Sequence, residues 1–212
     1  NTIATGIRKG ASHKIPLQAY AAQISERSTK MNECLRRIRT SLARFSQFAR
    51  PETSPELSPV NLKVEVDKFL ELMREGQKLD HITVHNEVPE GVFVIASRGT
   101  LQEILFNLFN NAWEAMRSQG ELFLSSQANG RFVELRMRDT GPGIPGEILP
   151  YVFESYFSTK SDSESAGIGL PIVKHHVESL GGTVKVSDTE PGKGAEFLVK
   201  FRKAEAPLEV KR

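Results

Sequence analysis

Thr100-Leu-Gln-Glu-Ile-Leu-Phe-Asn107-Leu-Phe-Asn-Asn111-Ala-Trp-Glu-Ala-Met-Arg117 carries two patterns on a single helical period. Leu101, Ile104, Leu105, Leu108, Ala112 and Ala115 or Met116 recur at spacings of three and four, which makes one buried stripe. Glu103, Asn107, Asn111 and Glu114 follow the same spacing on another face. Asparagine is a poor helix former, so Asn107, Asn110 and Asn111 lying so close together cost helix stability. A coordinating role would account for them; a solvated helix face is the plainer alternative.

On either side, helices alternate with strands. Val64 to Gln77 reads as a helix, Ile82 to Val88 and Val92 to Ile95 as short strands, and Glu121 to Gln127 with Arg131 to Arg138 as a strand pair. Gly167 to Leu180 is a helix ending at Gly181-Gly182, after which Thr183 to Ser187 and Glu196 to Phe201 pair across a Gly-rich turn. Strands mixed with helices segregated to one side predict an α+β sandwich. Pro51, Pro55 and Pro59 interrupt any helix and mark a boundary.

Upstream, Leu17, Ala21, Ile24, Ser28, Met31, Leu35, Ile38, Leu42, Phe45 and Ala49 alternate by four and three, a 3.5-residue period suited to lengthwise helix packing. A turn near Ser25 to Thr29 would make a hairpin, and two hairpins from two chains a four-helix bundle; one long helix fits the register equally. The expected organisation is therefore a helical dimerisation segment over residues 1–50, a linker over 51–60, the sandwich over 61–203 and a tail over 204–212.

Composition narrows the partners. Of 212 residues, 28 are Lys or Arg and 26 Asp or Glu, so a formal charge of +2 gives no electrostatic reason to expect nucleic acid. A lone cysteine, Cys34, excludes a disulfide framework within one chain and a cysteine zinc cage, and fits a reducing compartment. No apolar run approaches the roughly 18 residues of a spanning helix. The expected location is cytoplasmic, with membrane attachment only through a segment upstream of Asn1.

Three further motifs carry chemistry. Asp139-Thr-Gly141-Pro-Gly143-Ile144 ends a strand, where a fixed carboxylate can accept a hydrogen bond from an exocyclic amine and glycines let the backbone approach a flat ligand. A nucleotide base fits; a surface turn is the alternative. Phe153-Glu-Ser-Tyr-Phe157-Ser-Thr-Lys160 precedes the polar stretch Ser161 to Ala166, a flap held by its aromatics, from which Lys160 could reach a phosphate. Gly167-Ile-Gly169-Leu170-Pro171 opens a helix, whose free N–H groups and dipole form an anion site. It is neither a P-loop nor the dinucleotide fingerprint, since Ile172 stands where a third glycine belongs.

In this order the motifs resemble the N, G1, F and G2 boxes of the histidine kinase, gyrase, Hsp90 and MutL ATPase superfamily, over Leu101 to Phe201. The runs from Asn107 to Met116 and from Gly169 to Gly182 look most like sensor histidine kinases of the nitrogen-regulatory type. The resemblance implies a Bergerat-type ATP-binding α/β sandwich in which Asn111 ligates Mg²⁺ on the ATP phosphates and Asn107 lines the phosphate side. It further implies that Asp139 reads the adenine amine, with Gly141 and Gly143 beside it, and that Gly167, Gly169 and Leu170 form the lid and helix start. Gyrase-like members place a water-activating glutamate where Asn107 stands, and asparagine cannot be that base. Ser165 replaces the usual first glycine of the G2 box and Ala195 the hydroxyl residue after Gly192-Lys-Gly194.

Ser12-His13-Lys14-Ile15-Pro16-Leu17 resembles the H box, which implies His13 as phosphoacceptor. Lys14 stands where the family has an acid, and two residues fewer separate histidine from proline; anchored on Pro16, the acceptor position falls on Ala11. His81, His85, His175 and His176 read as ordinary packed or surface histidines. The resemblance implies an ATP-dependent, homodimeric kinase that autophosphorylates on histidine and passes the phosphoryl group to a response regulator receiver domain. A regulatory ATP-binding module without transfer, and an ATP-driven clamp, are the other readings.

Overall fold

Two short polar side chains start the longer helices. Asn61 closes strand β1 (Ser58–Asn61) and its side chain accepts from the Val64 N–H, capping α1 (Leu62–Glu75). Ser97 follows β3 (Phe93–Ala96) and accepts from the Thr100 N–H at 3.1 Å, capping α2 (Arg98–Ala115). The description covers residues 56–155, 157, 167–189 and 192–207 of a computed structural model. The chain divides into two units, Asn1–Ser46 and Gln47–Arg212, and every described residue belongs to the second. The expected helical segment over 1–50 lies outside the described residues.

The remaining strands are β2 (Ile82–Glu87), β4 (Gly120–Asn129), β5 (Phe132–Asp139), β6 (Thr183–Thr189) and β7 (Ala195–Ala204), with α3 (Gly169–Ser179) between β5 and β6. They form one mixed sheet in the order β1-β3-β7-β5-β4-β2, with β6 also paired to β7. The β2–β4 pair is parallel and the others are antiparallel. Helix α2 lies between α1 and α3 and packs against both. The result is the expected α+β sandwich.

Its core follows from the two periods. In β5 every second residue is buried: Val133, Leu135, Met137 and then Asp139. Leu122 and Leu124 of β4 and Phe197, Val199 and Phe201 of β7 are buried as well. On α2, Leu101, Ile104, Leu105, Leu108 and Ala112 are buried as the stripe requires, joined by Phe109, whose ring meets Phe69 of α1 edge-on at 5.6 Å. The strand period that buries β5's apolar side chains thus turns one carboxylate inward as well.

Boundaries moved by at most three residues. Helix α1 ends at Glu75, capped by Gly76, rather than at Gln77, which turns left-handed at φ 56°. Strand β1 begins inside the stretch expected as linker and ends one residue past it: Pro59, opposite Ile95, sits on an edge strand, where a missing N–H is tolerated.

Ser97 offers a test of the helix that carries the asparagines. It is buried, and its hydroxyl also donates to Thr100 Oγ1 at 2.8 Å. Ser97→Ala is expected to cost about 1 kcal/mol, read as a lower urea midpoint at unchanged slope, because water has poor access to replace the cap. An unchanged midpoint would show that the cap contributes nothing here.

Candidate functional site

Asp139 is 2% exposed, the inward-facing last residue of β5. Its Oδ1 accepts from the Gly141 N–H at 2.8 Å and the Ala195 N–H at 3.3 Å. Both bonds end on the same oxygen, and among the described residues Oδ2 has no hydrogen-bond partner. Burial raises the carboxyl above its ordinary range; the two backbone bonds and the nearby Arg138 charge oppose that without cancelling it.

Glycines let the backbone crowd this group. A Cβ on Gly141 would lie 2.8 Å from Asp139 Oδ1 and 3.2 Å from Ala115 Cβ. At Gly194, with φ +84°, a Cβ would fall 1.8 Å from the Asp139 carbonyl oxygen. The Gly192 N–H donates to the Pro142 carbonyl at 2.8 Å, which ties the turn before β7 to the loop holding Gly143. Sequence reasoning noted Gly192-Lys-Gly194 as a turn and as part of the family pattern that precedes Ala195; how close it comes to Asp139 depends on β5 and β7 pairing, which no local pattern shows.

About two turns before Ala115, midway along α2, a Cβ added to Gly169 would lie 3.2 Å from Asn107 Oδ1, so that side chain abuts the start of α3. Asn107 Nδ2 donates to the Glu103 carbonyl at 2.9 Å, which fixes the amide with Oδ1 turned toward α3. The cap residue of α3, Ile168, makes no side-chain hydrogen bond to the helix, leaving the first N–H groups to a ligand or water. Asn107, Asn111 and Ala115 are four residues apart, so α2 links Gly169 to Gly141 over about 12 Å. That is the reach of a nucleotide from phosphates to base.

The predicted residues therefore separate. Asn107 meets Gly169, and Asp139 meets Gly141, with half-buried Asn111 between the two contacts on α2. Leu170 is packed against the core, so only its backbone N–H is available at the helix start. Phe157 is half-buried, its ring 5.8 Å from Tyr151. Gly143 and Gly167 both adopt positive φ, at 77° and 64°. Lys160, Ser165 and His13 lie outside the described residues.

Asn110 proves to have a different task from its neighbours. Its Oδ1 accepts from Lys78 Nζ at 2.7 Å, that ammonium lies 4.8 Å from the Trp113 ring centre, and Trp113 Nε1 donates to the Lys78 carbonyl. These contacts fasten the segment after α1 to α2. His176, read as an ordinary histidine, bonds Glu103 across α2 and α3, Nε2 to Oε2 at 2.9 Å.

The sequence pattern of a family described as histidine kinase-, DNA gyrase B-, and HSP90-like ATPase matches residues 96–205. The sensor histidine kinase ZraS of Escherichia coli O157:H7 is 30% identical over 198 residues, 92% of this chain and 41% of that protein. Sporulation kinase A of Bacillus subtilis is 25% identical over 215 residues, 95% of this chain and 35% of that protein. The chain thus spans well under half the length of either relative. Among solved structures, full-length ShkA in complex with AMPPNP matches at TM-score 0.64 and 28% identity, covering 90% of this chain and 40% of ShkA. The mycobacterial sensor histidine kinase MprB matches at TM-score 0.62 and 26% identity, covering 71% of this chain and all of that one.

Proposed function

Because the chain belongs to the histidine kinase-, DNA gyrase B- and HSP90-like ATPase family, we propose that it is the ATP-binding portion of a sensor histidine kinase. In this reading it works as a homodimer in the cytoplasm. It phosphorylates His13 and passes the phosphoryl group to an aspartate on a response regulator receiver domain. The observation that carries the reading is Asp139: a buried carboxylate with one oxygen fixed by backbone and no partner for the other among the described residues, near the C-terminal end of a helix whose middle, at Asn107, meets the start of α3.

Each residue then has a task set by its chemistry. Asp139 Oδ2 accepts from the adenine amine, while Gly141, Gly143 and the Gly194 turn keep the backbone close to the base. The first N–H groups of α3, at Gly169 and Leu170, donate toward the phosphate side, where Asn107 Oδ1, an acceptor, meets the phosphates only through a bound cation or water. Asn111 supplies a neutral oxygen of the hard kind magnesium prefers, and bound magnesium would neutralise charge on the phosphates. Gly167, at positive φ, lets the chain turn into α3, and Lys160 and Phe157 belong to the flap.

Transfer rather than hydrolysis follows from position 107. An asparagine cannot take a proton from water, and Glu103, the next carboxylate on that face, is bonded to His176. In the transfer step a neutral imidazole nitrogen of His13 attacks the γ-phosphorus; an N–P bond forms as the P–O bond to ADP breaks. Incubating the full chain with γ-labelled ATP and magnesium is expected to give an acid-labile, alkali-stable label that His13→Ala lacks. Nucleotide binding without label would overturn the transfer, and rapid hydrolysis without any phosphoprotein would point to a clamp.

A further inference from the structure

Helices α2 and α3 touch on their polar side at two places. One is Asn107 against Gly169. The other is the Glu103–His176 pair, one turn back along α2 and two turns along α3. The two contacts are coupled, because the Asn107 amide donates to the carbonyl of Glu103 itself. A change in the separation of the helices at Glu103 must therefore move Asn107 relative to the start of α3.

We infer that Glu103 and His176 are positioning residues, a strut that sets the gap between Asn107 and the N-terminus of α3 and thereby the affinity for the nucleotide's phosphates. The inference rests on the nucleotide reading above and adds a control on it. Their side chains are partly buried, 22% and 23% exposed, so water still reaches either group once its partner is removed, which keeps the cost to global stability modest. The bond does not require a charged imidazole: neutral His176 donates its Nε2–H to the carboxylate, and protonation adds to the attraction. A small stability contribution can coexist with a large effect on the site, since displacements near 1 Å are enough to spoil an arrangement of converging donors.

The strut predicts an effect confined to one end of the ligand. Adenine is held near Asp139 and Ala115, about 12 Å along α2 from Asn107, so loosening α3 should leave base recognition alone. The experiment compares binding of Mg-ATP and of adenosine to the full chain by calorimetry, for the parent, Glu103→Ala, His176→Ala and the exchanged pair Glu103→His with His176→Glu. Each single variant is expected to bind Mg-ATP about five- to tenfold more weakly and adenosine as before, with a nearly unchanged urea midpoint. The exchanged pair should recover most of the Mg-ATP affinity. Single variants that bind Mg-ATP like the parent, or that lose ATP and adenosine equally, would overturn the strut. So would an exchanged pair no better than the single variants, because Glu103 would then act on the ligand rather than through His176. A parent that binds neither ATP nor adenosine would instead sink the nucleotide reading, and the strut with it.

Discussion

Asp139→Asn is expected to leave a folded protein at least as stable as the parent at neutral pH, with ATP affinity lower by about two orders of magnitude. The variant keeps an amide oxygen for the Gly141 and Ala195 N–H groups, so the loop and the start of β7 retain their bonds. What changes is the other atom, where an acceptor becomes an NH₂ donor; in the role proposed for Asp139, two donors then oppose each other at the adenine amine. A lost bond combined with two opposed donors in a buried site is worth about 2.7 kcal/mol, or 100-fold. Stability moves the other way, since the substitution removes a charge from a site that is 2% exposed. Equal affinity in the variant would show that Asp139 does not read the base.

The same group sets a pH dependence whose sign follows from its raised pKa. Between the ordinary carboxylate value and the raised one, the folded chain holds a proton that the unfolded chain has released. Stability contributed by this group is therefore fully present below the unfolded value and is lost as pH rises through the folded one. Binding runs opposite, because a protonated Oδ2 no longer accepts from an amine. ATP affinity of the parent should weaken on acidification through the raised value, while Asp139→Asn shows neither trend.

How far the sequence revealed this site depends on whether the information was local. Thr100 to Arg117 displayed its buried and polar faces openly, and the alternation Val133, Leu135, Met137 could be extended by two to place Asp139 inward. Strand β1 could not be read that way, because Ser58-Pro-Val-Asn61 has loop composition and becomes a strand only by pairing with β3, more than thirty residues away. Asn110 looked like its neighbours until Lys78 appeared beside it. His176 showed nothing by itself, since its partner is brought in by helix packing. Side chains whose role is set by their own element were legible; those whose role is set by a distant element were not.

Gly194→Ala is expected to be the most damaging single methyl in the domain, lowering stability by about 3 kcal/mol or more and removing nucleotide binding. Its Cβ would sit 1.8 Å from the Asp139 carbonyl oxygen, 2.7 Å from that carbon and 3.2 Å from Thr140 Cα. All three neighbours are backbone atoms, so no rotamer change relieves the contact, and β7 must withdraw from the end of β5. That withdrawal breaks the Ala195 N–H bond to Asp139 and opens the site at Asp139. Gly192 supplies the control: its φ of +81° is nearly the same as the +84° at Gly194, yet a Cβ there meets nothing within 4 Å. Gly192→Ala should therefore cost only the left-handed backbone penalty, about 1 kcal/mol. The excess at Gly194 is the cost of overpacking, another 2 kcal/mol or so on the same scale. Urea midpoints for the two variants measure that excess directly. If they coincide, the approach of β7 to Asp139 is not the constraint that shapes this end of the site, and the backbone there has room to give.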